Sequence, residues 1–382
     1  MFNRTITKIM DEWFESHHSF TIYGARQVGK TTLVKEYAKS KNIEYLYIDC
    51  DLASNQALFS SQDDKLLKNQ IGTAKLLILD EAQRVKNIGL NMKIIHDHIP
   101  DVKVIATGSS SLDLASSIKE PMTGRDKDFY LHPLSVSEIL QKQTIAEINY
   151  QMDSLLIYGT YPGIFLLDSN AQKIDDLYSL TQNYLYKDLL ELDLIKKSSK
   201  IKDLLRILAF SIGSEVNSTS LAEKLEVSRA TVDNYIDLLE QCFIIKKITP
   251  FNRSVINEIK HPYKVYFWDL GIRNALLEDF KNLELREDRA IGGLWENFCV
   301  IERIKKNMNE RKRVRTHFWR TKENTPKEYD LVEEYNGELS VFEIKTSSKK
   351  AEKVKKYPIF FDTYPNSTLN VIHRGNWHDW LV

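Results

Sequence analysis

One stretch limits the choice of fold more than any other: Gly24-Ala25-Arg26-Gln27-Val28-Gly29-Lys30-Thr31. It fits G-x-x-x-x-G-K-[ST], the pattern of a phosphate-binding loop. The apolar, β-prone run Phe20-Thr21-Ile22-Tyr23 precedes it, and Thr32 to Ala38 opens a good helix. That strand–loop–helix setting is what the pattern needs to carry meaning. The two glycines let the chain turn tightly enough for successive backbone N–H groups to face one anion. The helix N-terminus adds its partial positive charge at the same spot. The loop from Gly24 to Thr32 is therefore the candidate nucleotide cradle. Lys30 is placed to reach the β- and γ-phosphates of ATP, and the Thr31 hydroxyl to complete a Mg²⁺ shell.

Composition narrows the remaining classes. The chain has 382 residues, enough for two or three domains, each with a core. Lys plus Arg and Asp plus Glu both number 53, so global charge points to no partner. Cys50, Cys242 and Cys299 are far apart, without metal-ligand spacing, which speaks against a structural zinc or a disulfide framework. No apolar run approaches membrane-spanning length. Charges interrupt the N-terminal apolar residues, unlike a signal peptide. The expectation is a soluble cytoplasmic protein that does not engage a membrane.

Further strands follow the loop. Ile43 to Asp49 alternates. Lys75 to Leu79 is nearly all apolar and closes on Asp80 and Glu81, as suits a strand buried on both faces of a parallel sheet. Its C-terminal end is where open α/β sheets bind ligands. Asp80 is then the candidate Mg²⁺ residue and Glu81 the candidate general base for the attacking water. Val102 to Ser110 reads as another buried strand, with Ser109 and Ser110 as candidates for the γ-phosphate or the water, or as a plain turn. Phe129 to Ser135 reads as the last strand of this domain. Arg125, just before it, is a candidate for stabilising transition-state charge in its own subunit or a neighbour's, or an exposed loop residue.

Together GARQVGKTTL, LLILDEAQ, VIATGSSS and GR…FYLHPLS resemble the prokaryotic AAA+-type ATPases paired with a C-terminal domain of unknown function, number 4143. The resemblance covers most of the chain and is sharpest in the first third. It implies ATP binding, Mg²⁺ and hydrolysis, but no cellular role.

Residues 141–280 read as a helical connector and a winged-helix-like domain. Gly159 and Pro162 mark a helix-ending turn, and apolar residues keep helical spacing through Leu194. Ser220 to Leu239 reads as helix–turn–helix with Ser228 as cap, and Phe243 to Ile248 as a following strand. Arg229, Thr231 and Asn234 are placed to face a DNA groove. Glu223, Glu226, Asp233, Asp237 and Glu240 work against DNA, so a packing or protein-contact module is the competing reading.

Residues 281–382 read as α-β-β-β-α-β, with a basic helix near Lys349–Lys356. This order resembles the core of the PD-(D/E)xK nucleases, with Asp330 and Glu343-Ile344-Lys345 as the signature. Asn336-Gly337 is the strongest two-residue turn signal and pairs Tyr335 with Glu338. Counting back along the hairpin sets Asp330 opposite Glu343, with Lys345 on the same face. Paired carboxylates repel unless a cation offsets them. Mg²⁺ between them, with Glu296 as a third ligand, would suit water activation on a phosphodiester. The plain alternative is a solvated hairpin face. Glu328, Glu333, Glu334 and Glu338 oppose DNA approach, whereas Arg311 to Arg315 and Lys349 to Lys356 favour it.

The expected protein is thus α/β, with an AAA+-type P-loop ATPase domain over 1–140, the helical and winged-helix-like region, and a nuclease-like α/β domain. It couples ATP to a region acting on DNA. The alternative is an ATP-controlled protein-interaction switch with an inactive terminal module. A protein partner or homo-oligomer fits either reading.

Overall fold

The computed structural model describes residues 2–109, 118–185, 198–252, 262–323 and 325–382. Ser110 and the end of the helical stretch expected through Leu194 lie outside these residues. Contacts divide the chain into two compact units, residues 3–132 with 241–243 and residues 133–240 with 244–382.

The first unit begins with helix α1 (Ile6–Phe14) and then builds one parallel sheet. Its strands are β1 (Ser19–Tyr23), β2 (Tyr45–Asp49), β3 (Leu76–Asp80), β4 (Lys103–Gly108) and β5 (Asp126–Tyr130), in the spatial order β2-β3-β4-β1-β5. Helices α2 (Lys30–Lys41), α3 (Ala53–Phe59), α4 (Asp64–Ile71) and α5 (Ile88–His98) connect them. Every residue of β1 and β3 is buried. That burial explains why these strands read as apolar runs rather than alternating ones. Asp63 caps α4 by accepting from the amides of Lys65 and Leu66 at 2.9 and 3.1 Å.

The last strand differs from expectation. β5 starts at Asp126 and ends at Tyr130, before the Leu131–Ser135 segment. Pairing with β1, from Ser19↔Asp126 to Tyr23↔Tyr130, carries two aspartates into the sheet. Tertiary pairing here overrides weak β-propensity.

In the second unit, helix Ile145–Tyr158 is opened by a Thr144–Glu147 capping box and closed by Gly159 at φ 74°. Helix Ser198–Phe210, β6 (Glu215–Val216), helices Ser218–Leu225 and Arg229–Gln241, β7 (Ile245–Pro250) and β8 (Tyr263–Phe267) follow. Ser228 Oγ accepts from the Thr231 amide at 3.1 Å and caps the second helix of the pair. Then come helix Asp288–Asn309, β9 (Arg315–Arg320), β10 (Glu328–Tyr335), β11 (Glu338–Ile344) and β12 (Thr368–Ile372).

These strands form a single seven-stranded sheet, β12-β11-β10-β9-β7-β8-β6. β7 and β9 run parallel and pair Thr249 with His317 and Pro250 with Phe318. The sheet runs across the expected boundary at 280. The basic helix expected over Lys349–Lys356 shrinks to Ser348–Ala351. Five lysines in that stretch repel one another and leave no apolar stripe to bury. Among the described residues, no helix is long and apolar enough to cross a membrane.

Candidate nucleotide site and C-terminal carboxylate cluster

The loop leaves β1 at Gly24, whose amide donates to the Gly108 carbonyl at 3.3 Å. A Cβ at Gly24 would stand 2.2 Å from the Leu131 carbonyl oxygen, so only glycine fits beside that backbone. Gly29 turns at φ 98° into α2. Gly24→Ala should therefore cost about 1–3 kcal/mol, as other overpacked sites do. Thermal unfolding of the variant measures it, and an unchanged midpoint would mean that the loop yields freely.

The loop is also held by Arg4, whose Nη1 donates to the Val28 carbonyl at 2.9 Å and Nη2 to the His132 carbonyl. Arg4 is 9% exposed, so this tie is an internal one. Lys30, 4% exposed, donates Nζ to the carbonyls of Gly24 and Ala25 at 2.9 and 3.1 Å. Its ammonium thus lies within the curve of the loop.

Asp80 ends β3 and receives three hydroxyls. Thr31 Oγ1 and Tyr47 OH each donate to Oδ2 at 2.7 Å, and Thr107 Oγ1 donates to Oδ1. The structure thereby joins the loop threonine to the strand-end carboxylate across 49 residues of chain. An all-oxygen set of hydroxyl and carboxylate fits Mg²⁺, which is commonly held by one or two carboxylates together with substrate phosphates. Held by Thr31 and Asp80, such a cation would supply charge neutralisation at phosphate oxygens.

Glu81, next in the chain, is left-handed at φ 53° and donates its amide to Thr107 Oγ1 at 3.2 Å. Gln83 Nε2 donates to Glu81 Oε2 and also, at 3.2 Å, to Ser109 Oγ. Glu81, Gln83 and Ser109 are thus one hydrogen-bonded group. Cys50, whose amide meets the Asp80 carbonyl at 3.0 Å, has its thiol pushed up to about 12 by burial and then by the Asp80 charge. It is an inert core residue.

Arg125 lies at the other end of β1. Its carbonyl accepts from the Ser19 amide at 2.8 Å, at the edge of the sheet where β1 begins. The loop leaves from the other end of β1, roughly 13 Å away at about 3.3 Å per residue. The Arg125 Nε donates to Asp97 at 3.2 Å instead. In this structure Arg125 is therefore engaged at the end of β1 opposite to the loop.

Tyr47, Thr107, Gln83 and Arg4 escaped the sequence reading. Thr107 and Gln83 lie in the quoted segments VIATGSSS and LLILDEAQ, but nothing local distinguishes them. Tyr47 and Arg4 carry no motif signal at all.

In the C-terminal region the hairpin turns on Asn336 at φ 52° and Gly337 at φ 82°, and its ladder pairs Tyr335 with Glu338 through Leu331 with Phe342. One step further, Asp330 Oδ2 accepts from the Ile344 amide at 2.7 Å. Lys345 Nζ ion-pairs with Glu343 at 2.5 Å and approaches Asp330 at 3.8 Å. Asp330, Glu343 and Lys345 thus converge. Burial, then the Asp330 charge, pushes the Glu343 carboxyl up to about 7, with Lys345 opposing.

Glu296 behaves otherwise. It lines the same cavity of about 330 Å³ as Asp330 and Lys345, together with Arg289 and Lys350. Yet its Oε1 accepts from Lys264 Nζ at 3.0 Å and from Tyr266 OH at 2.7 Å. Lys264, 2% exposed, also pairs with Glu328 at 2.6 Å. Burial works against the Lys264 charge, but Glu296 and its neighbours outweigh it and hold the ammonium well above its usual range. Among the described residues, no group of three or more His, Cys, Asp or Glu is arranged to hold a metal ion. The expected third ligand is instead the partner of a buried lysine. The acids expected to repel DNA are also engaged: Glu333 takes a two-pronged bond from Arg303 at 2.9 and 2.8 Å, and Glu334 pairs with Arg315 at 3.3 Å.

A parallel sheet with β4 inserted between β1 and β3, a glycine loop leading into α2, and a carboxylate closing β3 describe the P-loop ATPase class. Residues 16–140 match the family described as an AAA domain. Residues 149–283 match a domain of unknown function (DUF8612), and residues 291–380 another (DUF4143). An uncharacterised protein of Mycobacterium tuberculosis is 25% identical over 326 residues, spanning 85% of this chain and 69% of its own. One of Methanocaldococcus jannaschii is 25% identical over 303 residues, spanning 67% of this chain and 61% of its own. Among solved structures, a Walker-type ATPase of Pyrococcus abyssi shares the fold with a TM-score of 0.51 at 16% identity, covering 72% of this chain and 96% of that one. The N-terminal part of this chain is an AAA-type ATPase domain, and a DUF4143 domain closes it. An AAA domain implies nucleotide binding, typically with Mg²⁺.

Proposed function

We propose that the protein is a Mg²⁺-dependent ATPase whose nucleotide state governs what its second unit binds, with DNA as the ligand of that unit. The observation that carries the ATPase reading is the Thr31–Asp80 hydrogen bond of 2.7 Å, between the two groups read here as holding Mg²⁺. In this reading the amides of Gly24 through Thr32 cradle the phosphates and Lys30 reaches the β- and γ-oxygens. Thr31 and Asp80 hold the cation, Glu81 takes the water proton, and Ser109 acts beside it.

The order helix, β6, helix, helix, β7, β8, with β6 and β7 both antiparallel to β8, supports a winged-helix-like unit. Arg229 is paired with Asp233 at 3.5 Å, so its charge toward DNA is partly offset. The convergence of Asp330, Glu343 and Lys345 supports a nuclease-like core. One observation favours the second reading, an inactive binding module: Lys345 already pairs with Glu343 and approaches Asp330, and Glu296 is committed to Lys264.

The test is phosphate release with Mg·ATP, in parallel with incubation on supercoiled and linear DNA with Mg²⁺ or Mn²⁺. Phosphate release is expected, and its absence overturns the ATPase reading. Metal-dependent DNA cleavage that disappears in Asp330→Ala supports the nuclease. DNA retention without cleavage supports the binding module. Neither retention nor cleavage, with or without ATP, overturns DNA as the ligand and leaves the protein-interaction switch.

A further inference from the structure

We propose that Tyr47 is a positioning residue for the divalent cation, holding the Asp80 carboxylate in the orientation that Thr31 and the metal share. The inference rests on reading Thr31 and Asp80 as the metal groups of the nucleotide site.

Tyr47 lies on β2, directly beside β3 in a parallel ladder that pairs Tyr47 with Ile78 and Asp49 with Asp80. From that neighbouring strand its hydroxyl donates to Asp80 Oδ2 at 2.7 Å, the same oxygen that Thr31 uses. A carboxylate is free to rotate about its last torsion unless its oxygens are tied. Here Thr107 ties Oδ1, while Thr31 and Tyr47 tie Oδ2. Thr31 is the group that must also meet the cation. Tyr47 and Thr107 are the two donors with no other duty at the metal. Of these, only Tyr47 acts on the oxygen facing Thr31.

The tyrosine is held in turn. Lys35 Nζ stands 3.8 Å above the centre of its ring, a close cation–π contact. Thr31 and Lys35 are four residues apart on α2 and so share one helix face. The helix that begins at the phosphate loop thus presents Thr31 to the Asp80 carboxylate and Lys35 to the residue that orients it.

Outer-sphere partners of metal ligands typically change metal affinity by about 10–100-fold when removed. Tyr47→Phe deletes the one oxygen and keeps the ring beneath Lys35. The decisive measurement is calorimetric titration of Mg²⁺ into protein saturated with a non-hydrolysable ATP analogue. Metal-free affinity for the analogue and nucleotide-free thermal melting are measured alongside. The expected result is a loss of Mg²⁺ affinity of about tenfold or more, with metal-free nucleotide affinity and melting close to native. The Mg²⁺ concentration for half-maximal turnover should rise by the same factor, while turnover at saturating metal recovers. Lys35→Ala should move Mg²⁺ affinity in the same direction by less.

Two results overturn the assignment. One is Mg²⁺ affinity within about twofold of native, well short of an outer-sphere effect. The other is a parallel loss of melting, nucleotide affinity and metal affinity, which a purely structural hydrogen bond would give. A native protein that binds the analogue without any Mg²⁺ dependence would overturn the metal reading of Thr31 and Asp80 itself, and the native control separates that outcome from a failure of Tyr47 alone.

Discussion

Glu81→Gln is expected to keep nucleotide bound and to lower turnover by about 10²–10⁴-fold, the usual contribution of a positioned general base. The amide preserves the shape of the side chain and removes its ability to take a proton. The site is built to hold that shape. The left-handed backbone at φ 53° swings Glu81 out of the strand direction, and the Thr107 hydroxyl anchors its amide at 3.2 Å. Gln83, bonded to both Glu81 and Ser109, sets the carboxylate orientation. Loss should therefore appear in kcat with affinity near native, the signature of an interaction made in the transition state. Single-turnover kinetics and nucleotide binding on the same protein make the comparison. If affinity and turnover fall together, Glu81 is a binding residue and not the base. If Asp80→Asn leaves the Mg²⁺ dependence unaltered, the division of labour between the two carboxylates is wrong.

Lys30→Ala is expected to lower turnover by about 10²–10³-fold, as loss of a preorganised electrostatic contact does elsewhere. It should also abolish stabilisation by ligand. A native protein with nucleotide at about 100 times Kd gains about 2.7 kcal/mol against unfolding. The variant should show no rise in melting midpoint under the same conditions. The Lys30 ammonium is buried and donates to the loop carbonyls of Gly24 at 2.9 Å and Ala25 at 3.1 Å, so its removal is expected to fall on the loop. Far-UV circular dichroism and nucleotide-free melting check that the fold survives. An undiminished midpoint rise in the variant would show that Lys30 does not reach the nucleotide.

The two sites differ in how much of their geometry can be read from the chain. At the phosphate loop the turn itself is local, because Gly29 needs φ 98° whatever surrounds it. The crowding at Gly24 is not local, since the carbonyl beside it belongs to Leu131. The pairing of Tyr335 with Glu338 is local as well, because Asn336 and Gly337 adopt the left-handed angles that close a two-residue turn. A period of two then carries Asp330, Glu343 and Lys345 to one place.

Glu296 and Arg125 show the opposite case. The helix bearing Glu296 was legible, and so was its nearness to the hairpin. Its commitment to Lys264 was not, because Lys264 comes from β8, 32 residues earlier, and meets Glu296 through tertiary packing. A sequence cannot show that a carboxylate is already paired when its partner arrives through a sheet formed by distant strands. Arg125 precedes β5, and parallel pairing with β1 sets that end of β5 beside Ser19 and the far end beside Tyr23, a placement that the local sequence does not show.

What the sequence by itself determined is therefore the phosphate loop, the strand-end pair Asp80 and Glu81, the cap at Ser228 and the hairpin register. Each depends on backbone angles or side-chain alternation over a handful of residues, and such preferences act before any distant contact forms. What only the tertiary structure decided is strand order, and with it the neighbours of each functional group. Placing β2 beside β3 brings the Tyr47 hydroxyl to Asp80, and placing β4 there brings Thr107. The pairing of β7 with β9 carries one sheet across the expected boundary at 280, and β8 of that sheet brings Lys264 to Glu296. Strand order follows from which apolar faces can be buried together over the whole chain, a sum over distant surfaces that no short window contains.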